Sequence, residues 1–198
     1  MTDFATILGD RPLVAILRGL PLDTAVDLAE AVWDTGVGVV EVPVQSQEAL
    51  GVLTAVARAG AARGEPVGAG TVLTVEHVRL AVEAGAAFTV APGLDLDVLA
   101  ASVAAGVPHL PGVATATEVH RARRAGCHWL KAFPASSLGP SWIREMRGPF
   151  PDLHLVATGG ITAANAAEFR AAGARALGVG GSLTRPGGLA AMVAALAG

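Results

Sequence analysis

Of the 14 basic residues in this chain, one alone is a lysine, Lys131; the rest are arginine. The sequence uses arginine wherever a surface cation suffices, so a retained lysine marks a place that arginine cannot fill. The difference is chemical. A guanidinium stays protonated, whereas desolvation drives an ammonium toward neutrality. A partly neutral amine attacks a carbonyl carbon and forms an imine. The segment Cys127-His128-Trp129-Leu130-Lys131-Ala132-Phe133-Pro134 reads as a strand whose alternation puts Trp129, Lys131 and Phe133 on one inward face. The competing reading is a structural lysine that reaches solvent or pairs with a carboxylate.

Glu41 is the natural partner. It interrupts the apolar run Val37-Gly38-Val39-Val40-Glu41-Val42-Pro43-Val44, and period two sets it on a face with Val39, Pro43 and Gln45. A carboxyl beside an amine supplies the proton transfers that imine chemistry requires; the alternative is a structural ion pair. Two glycine turns, Thr158-Gly159-Gly160-Ile161 and Gly178-Val179-Gly180-Gly181-Ser182, have the character of phosphate-binding loops, whose amides cradle an anion. Arg18, in Ala15-Ile16-Leu17-Arg18-Gly19, ends a strand with a cation fit to clamp a carboxylate, and Thr71 adds a hydroxyl nearby. The five histidines show no ligand spacing, which disfavours metal chemistry, and no cofactor is expected.

These residues need a scaffold that brings them together. Short β-branched runs alternate with Ala-rich amphipathic segments along the whole chain. Strands are expected near Leu13–Leu17, Val37–Val44, Val67–Thr71, Phe88–Val90, Val107–Leu110, His128–Phe133, Leu153–Thr158 and Ala176–Val179. Helices are expected near Leu22–Thr35, Gln47–Arg63, Val75–Ala84, Leu96–Ala105, Ala116–Ala125, Ser141–Arg147, Ala163–Ala172 and Gly188–Leu196. Strict alternation implies a parallel sheet. Eight such units in 198 residues match a minimal single-domain (β/α)8 TIM barrel better than an open doubly wound sheet. In that fold chemistry gathers at the carboxyl ends of the strands. Arg18, Glu41, Gln45, Thr71, Lys131, Thr158 and Ser182 all stand at such ends.

Composition narrows the partners. The net charge is −3, and the only basic cluster, Arg121, Arg123 and Arg124, reads as a solvated helix face, which argues against nucleic acid. No apolar stretch approaches a membrane span. A lone cysteine, Cys127, excludes an internal disulfide framework. Met1-Thr2-Asp3-Phe4 lacks the pattern of an export signal. The expectation is a cytoplasmic protein acting on a small anionic ligand.

The chain resembles the 2-keto-3-deoxy-6-phosphogluconate / 4-hydroxy-2-oxoglutarate aldolases over nearly its whole length. The resemblance rests on Glu41-Val42, Val67-Gly68-Ala69-Gly70-Thr71-Val72-Leu73, Ala91-Pro92-Gly93, Leu110-Pro111-Gly112-Val113, Leu130-Lys131-Ala132-Phe133-Pro134, Thr158-Gly159-Gly160-Ile161 and Gly180-Gly181-Ser182. It implies that Lys131 is a Schiff-base lysine and Glu41 its proton shuttle. Thr71 would contact the pyruvyl carboxylate, Pro92 and Phe133 would line the pocket, and Gly159, Gly160 and Ser182, with neighbouring Gly181, would hold a phosphate. A homotrimer is implied as well. The gluconate-type enzymes carry an arginine four residues after the strand-two glutamate, where this chain has Gln45. The 6-phosphogalactonate branch lacks that arginine too, and has an Ile-Leu-Arg-Gly segment like Ile16-Leu17-Arg18-Gly19. Arg18 would then replace the missing carboxylate clamp. Thr158 points the other way, toward the gluconate type.

The expected reaction is cleavage of a 2-keto-3-deoxy-6-phospho sugar acid to pyruvate and glyceraldehyde 3-phosphate. The alternative is another phosphate-binding barrel enzyme, an isomerase or a thiamine-phosphate-type transferase, which would explain the glycine loops but not the lysine.

Overall fold

The computed structural model describes residues 4–197; Met1–Asp3, used above against an export signal, lie outside them. In chain order the elements are α1 (Phe4–Leu8), β1 (Leu13–Ile16), α2 (Leu22–Asp34), β2 (Gly38–Pro43), α3 (Gln47–Arg63) and β3 (Val67–Gly70). There follow α4 (Val75–Glu83), β4 (Phe88–Val90), α5 (Leu96–Ala104), β5 (His109–Leu110), β6 (Gly112–Val113) and α6 (Ala116–Arg124). The last third holds β7 (Trp129–Ala132), α7 (Ala135–Met146), β8 (His154–Thr158), α8 (Ala163–Ala171), β9 (Ala176–Val179) and α9 (Gly188–Ala197).

The strands run parallel in the order β5-β4-β3-β2-β1-β9-β8-β7-β6. β5 and β6 are one strand interrupted at Pro111, whose ring nitrogen has no hydrogen to donate to the ladder. Because β5 pairs with β4 and β6 with β7, this divided strand closes the sheet into an eight-stranded (β/α)8 barrel. The closed form was the expected one.

Alternation sorts each strand into two faces. Leu13, Ala15, Val40, Val42, Leu130, Ala132, Leu155, Ala157, Leu177 and Val179 point outward and meet the helices in one apolar layer. Val14, Val39, Phe88, Trp129, Val156 and Ala176 point inward and fill the amino half of the barrel. There they meet Phe4, Ile7 and Leu8 of α1, a short helix not anticipated from the sequence. The Phe4 ring packs edge-on to Phe88 at 5.4 Å and beside Trp129 at 5.7 Å, so α1 stoppers the amino mouth. One step further along the same strands the inward positions turn polar, and the site lies there.

Helix ends follow local chemistry. Thr74 accepts from the His77 amide, and Thr115 and Glu118 form a capping box. Gly36, Gly64, Gly85, Gly106, Gly126 and Gly173 take positive φ where helices end, as a left-handed C-terminal turn demands. α7 departs from expectation: it starts at Ala135 rather than near Ser141. Gly139 (φ 79°, ψ 161°) breaks it after one turn and Pro140 restarts it. Thr89 Oγ1, at the sheet–helix layer, meets Ser102 Oγ at 2.9 Å and His109 Nδ1 at 2.8 Å. Burial holds the His109 imidazole down to about 4, so this histidine is neutral at physiological pH. Among the described residues no helix is long and apolar enough to cross a membrane.

Candidate active site

The carboxyl ends of the strands open into a cavity of about 600 Å³. Lys131 enters it from β7, with its backbone amide bonded to the Pro111 carbonyl at 2.9 Å and its Cα opposite Gly112 and Val156. The residue is 3% exposed. Its Nζ stands 5.1 Å from the centre of the Phe133 ring. Burial pulls the amine below the ordinary lysine range and the nearby Arg18 charge pushes it the same way, while Glu41 opposes both.

Glu41, opposite Ile16 and Gly68 in the sheet, is 2% exposed. It is not on the cavity wall. Its carboxyl rests on the backbone of β3 at Gly70, where a Cβ would stand 2.6 Å from Oε1 and 3.0 Å from Cδ. Oε1 has no hydrogen-bond partner. Burial pushes the carboxyl up; Lys131 and Arg18 pull it down less strongly. No contact within 4 Å joins Glu41 to Lys131 among the ion pairs of the described residues, so they do not form the structural ion pair of the alternative reading, although each charge acts on the other.

Arg18 and Thr71 form one side of the cavity. The Arg18 guanidinium donates through Nη1 to Gln45 Oε1 at 2.5 Å and through Nη2 to Thr71 Oγ1 at 3.3 Å. Thr71 is a non-glycine residue at φ 57°, a conformation that costs a side chain about 1–3 kcal/mol. Gln45, expected to touch ligand, is exposed and off the wall. It steers Arg18 instead. The reason is topological: β1 and β2 are neighbours, so the residues just past their ends meet each other at the rim.

Pro92 and Phe133 lie on the wall as expected, as does Thr158, which covers Gly178 so closely that no side chain would fit there. The wall past β8 and β9 is formed by Gly159 and Gly160 at φ 96° and 74°, together with Gly181 and Ser182. Among the described residues the amides of these four make no hydrogen bond within the protein, leaving them free for an anion. Ser182 Oγ donates to the Ile161 carbonyl at 3.4 Å and so ties the two glycine loops together.

Ten of the twelve residues singled out from sequence thus face one cavity, and the other two, Glu41 and Gln45, support it from behind and from the rim. Two participants had escaped notice. Gly70 makes room for the Glu41 carboxyl, and Arg185, from the loop after β9, lines the cavity beside Ser182. Arg185 was legible only as the one cation of that loop. The described lining contains no Asp or Glu, and its cations are Arg18, Lys131 and Arg185. In a chain of net charge −3, that makes the cavity a local anion receptor. Among the described residues no three His, Cys, Asp or Glu converge on a common point.

The family model described as KDPG and KHG aldolase matches residues 5–191. A probable 2-dehydro-3-deoxy-6-phosphogalactonate aldolase of Rhizobium meliloti is 41% identical over 180 residues, 90% of this chain and 84% of that one. The 2-dehydro-3-deoxy-6-phosphogalactonate aldolase of Escherichia coli is 37% identical over 89% of this chain and 86% of its own. Among solved structures, a native KDPGal structure superposes with a TM-score of 0.86 at 35% identity, covering 94% of both chains. A Legionella pneumophila KDPG aldolase, with pyruvate captured as a covalent carbinolamine, superposes with a TM-score of 0.84 at 26% identity, over 97% of this chain and 94% of that one.

Proposed function

This chain belongs to the KDPG and KHG aldolase family, and on that footing we propose that it cleaves a 2-keto-3-deoxy-6-phospho sugar acid, of gluconate or galactonate type, to pyruvate and glyceraldehyde 3-phosphate. The observation that carries the reading is the single lysine, buried yet opening onto a cavity with cations and unpaired amides but no carboxylate on its described wall.

The Lys131 amine in its neutral form adds to the C2 carbonyl carbon, and the carbonyl oxygen takes up one proton from Glu41, whose burial favours the protonated carboxyl, and a second from the attacking nitrogen, with a water as relay. That oxygen then leaves as water, giving an iminium and the Glu41 carboxylate. The C3–C4 bonding pair flows into the iminium while the C4 hydroxyl gives its proton to the Glu41 carboxylate, and the aldehyde departs. The remaining enamine takes a proton at C3, and hydrolysis frees pyruvate and restores the amine. Arg18, held by Gln45 and joined to Thr71, clamps the carboxylate of the keto acid. The amides of Gly159, Gly160, Gly181 and Ser182 hold the phosphate, so binding at both ends aligns C2 with the amine. We also place this enzyme in the cytoplasm and as a homotrimer; exposed Leu73, Val75 and Leu96 beyond β3 and β4 supply an apolar surface for self-association.

Incubation with pyruvate and borohydride tests the central step. Peptide mapping is expected to place a reduced adduct on Lys131, and Lys131→Ala to lower turnover by roughly a thousandfold or more. Residual activity within tenfold of the parent would overturn the reading. Comparing turnover of the two C4-epimeric phosphosugar acids assigns the type.

A further inference from the structure

Within the proposed function, we infer that Arg185 is the residue by which this chain selects a phosphorylated over an unphosphorylated sugar acid. The cavity's cations flank β1 on different sides. Arg18, past β1, reaches toward Gln45 and Thr71 beyond β2 and β3, whereas Arg185 lies past β9, on the other flank of β1, beside Gly181 and Ser182. A ligand with one anionic end would use only one of these places.

Arg18 is already engaged, with Gln45 and Thr71 as its partners. The Arg185 side chain has no hydrogen bond or ion pair among the described residues, although other exposed arginines, Arg79 and Arg175 among them, have carboxylate partners. Its backbone, by contrast, is well held. The Leu183 amide bonds to the Gly180 carbonyl at 2.8 Å, the Gly188 amide to the Arg185 carbonyl at 2.8 Å, and Thr184 Oγ1 to the Gly181 carbonyl at 3.1 Å. Leu183 anchors the turn in the core at 4% exposure. A cation on a fixed turn, without a partner in the protein and adjoining unpaired amides, is arranged to meet an anion supplied from outside. Amides alone satisfy lone pairs on any small oxyanion. A guanidinium adds charge, and charge favours a dianionic phosphate over a neutral hydroxyl.

The test compares Arg185→Ala and Arg185→Lys with the parent on two substrates: 2-keto-3-deoxy-6-phosphogalactonate, and the same sugar acid without its phosphate. Arg185→Ala is expected to lower kcat/KM for the phosphorylated substrate by about tenfold or more, mainly through KM. The unphosphorylated substrate should change by less than about twofold, and lysine should restore part of the loss. Added salt should weaken the parent's preference more than the variant's. Equal losses on both substrates, or none on either, would overturn the assignment and leave Arg185 a solvated surface cation. Calorimetric titration with inorganic phosphate reads the same residue without turnover: weaker binding in Arg185→Ala supports the assignment, and unchanged binding overturns it. Phosphate that binds through Arg185 in a protein unable to cleave either sugar acid would overturn the aldolase reading and leave the anion site standing.

Discussion

Glu41 and Lys131 are each expensive to keep charged where they are, and together they set how the molecule responds to pH. Burial raises the Glu41 carboxyl above its ordinary 4.5, so the folded chain holds that proton more tightly than the unfolded chain does. The stability contributed by Glu41 is therefore fully present below 4.5 and is lost as pH climbs through the raised value. Lys131 has the opposite sign: lowered from 10.5, it costs nothing above that value and progressively more as pH falls through its depressed one. Glu41→Gln removes the first dependence. Thermal unfolding should show the variant ahead of the parent by about 2–6 °C at pH 8, with the difference closing toward pH 4, while turnover drops by about a hundredfold or more. A constant difference across that range would mean that the carboxyl ionises freely.

The lysine was legible in the sequence because its count alone set it apart, and Glu41 because a carboxylate interrupts an apolar strand. Gln45 and Arg185 were not legible in the same way. Which rim residues meet is decided by strand adjacency, with Arg18 and Gln45 27 positions apart, and an arginine in a loop has the same local sequence whether it faces solvent or a cavity.

Among the elements, β3 is shaped by what β2 carries. Gly70 is not one of the positive-φ positions, so alanine fits its backbone without strain; the obstruction is the Glu41 carboxyl, 2.6 Å from the added carbon. Gly70→Ala should therefore fold normally yet lose about tenfold or more in kcat, with slower borohydride trapping of pyruvate and little change in KM, because Arg18 and the glycine loops are untouched. Turnover within twofold of the parent would show that the carboxyl has room to move. Strand and helix periodicity made the eightfold repeat readable in advance. It missed α1, whose five residues are too short for a period to register, and the first turn of α7, hidden by the Gly139-Pro140 punctuation. It also ended the fifth strand at Leu110 and so missed β6, the two residues beyond Pro111 that complete the closure.

At the scale of the whole molecule, the proposed trimer is tested through the apolar side chains left outward beyond β3 and β4. Leu73, Val75 and Leu96 are each about half exposed, at 51%, 52% and 52%. Light scattering is expected to return three times the 19.8 kDa of one chain, and Leu73→Glu to shift the population toward the single chain. A monomeric parent at micromolar concentration would remove the trimer.

The stopper that α1 forms in the amino mouth, with Phe4 against Phe88 and Trp129, also governs the order of events. With the floor of the barrel closed, everything that enters or leaves uses one doorway, and traffic through it is last in, first out. On the proposed reaction, the three-carbon piece bonded to Lys131 would lie behind the one held by the rim loops. In cleavage the aldehyde would then leave first and pyruvate last, and in the synthetic direction pyruvate would be seated before the aldehyde arrives.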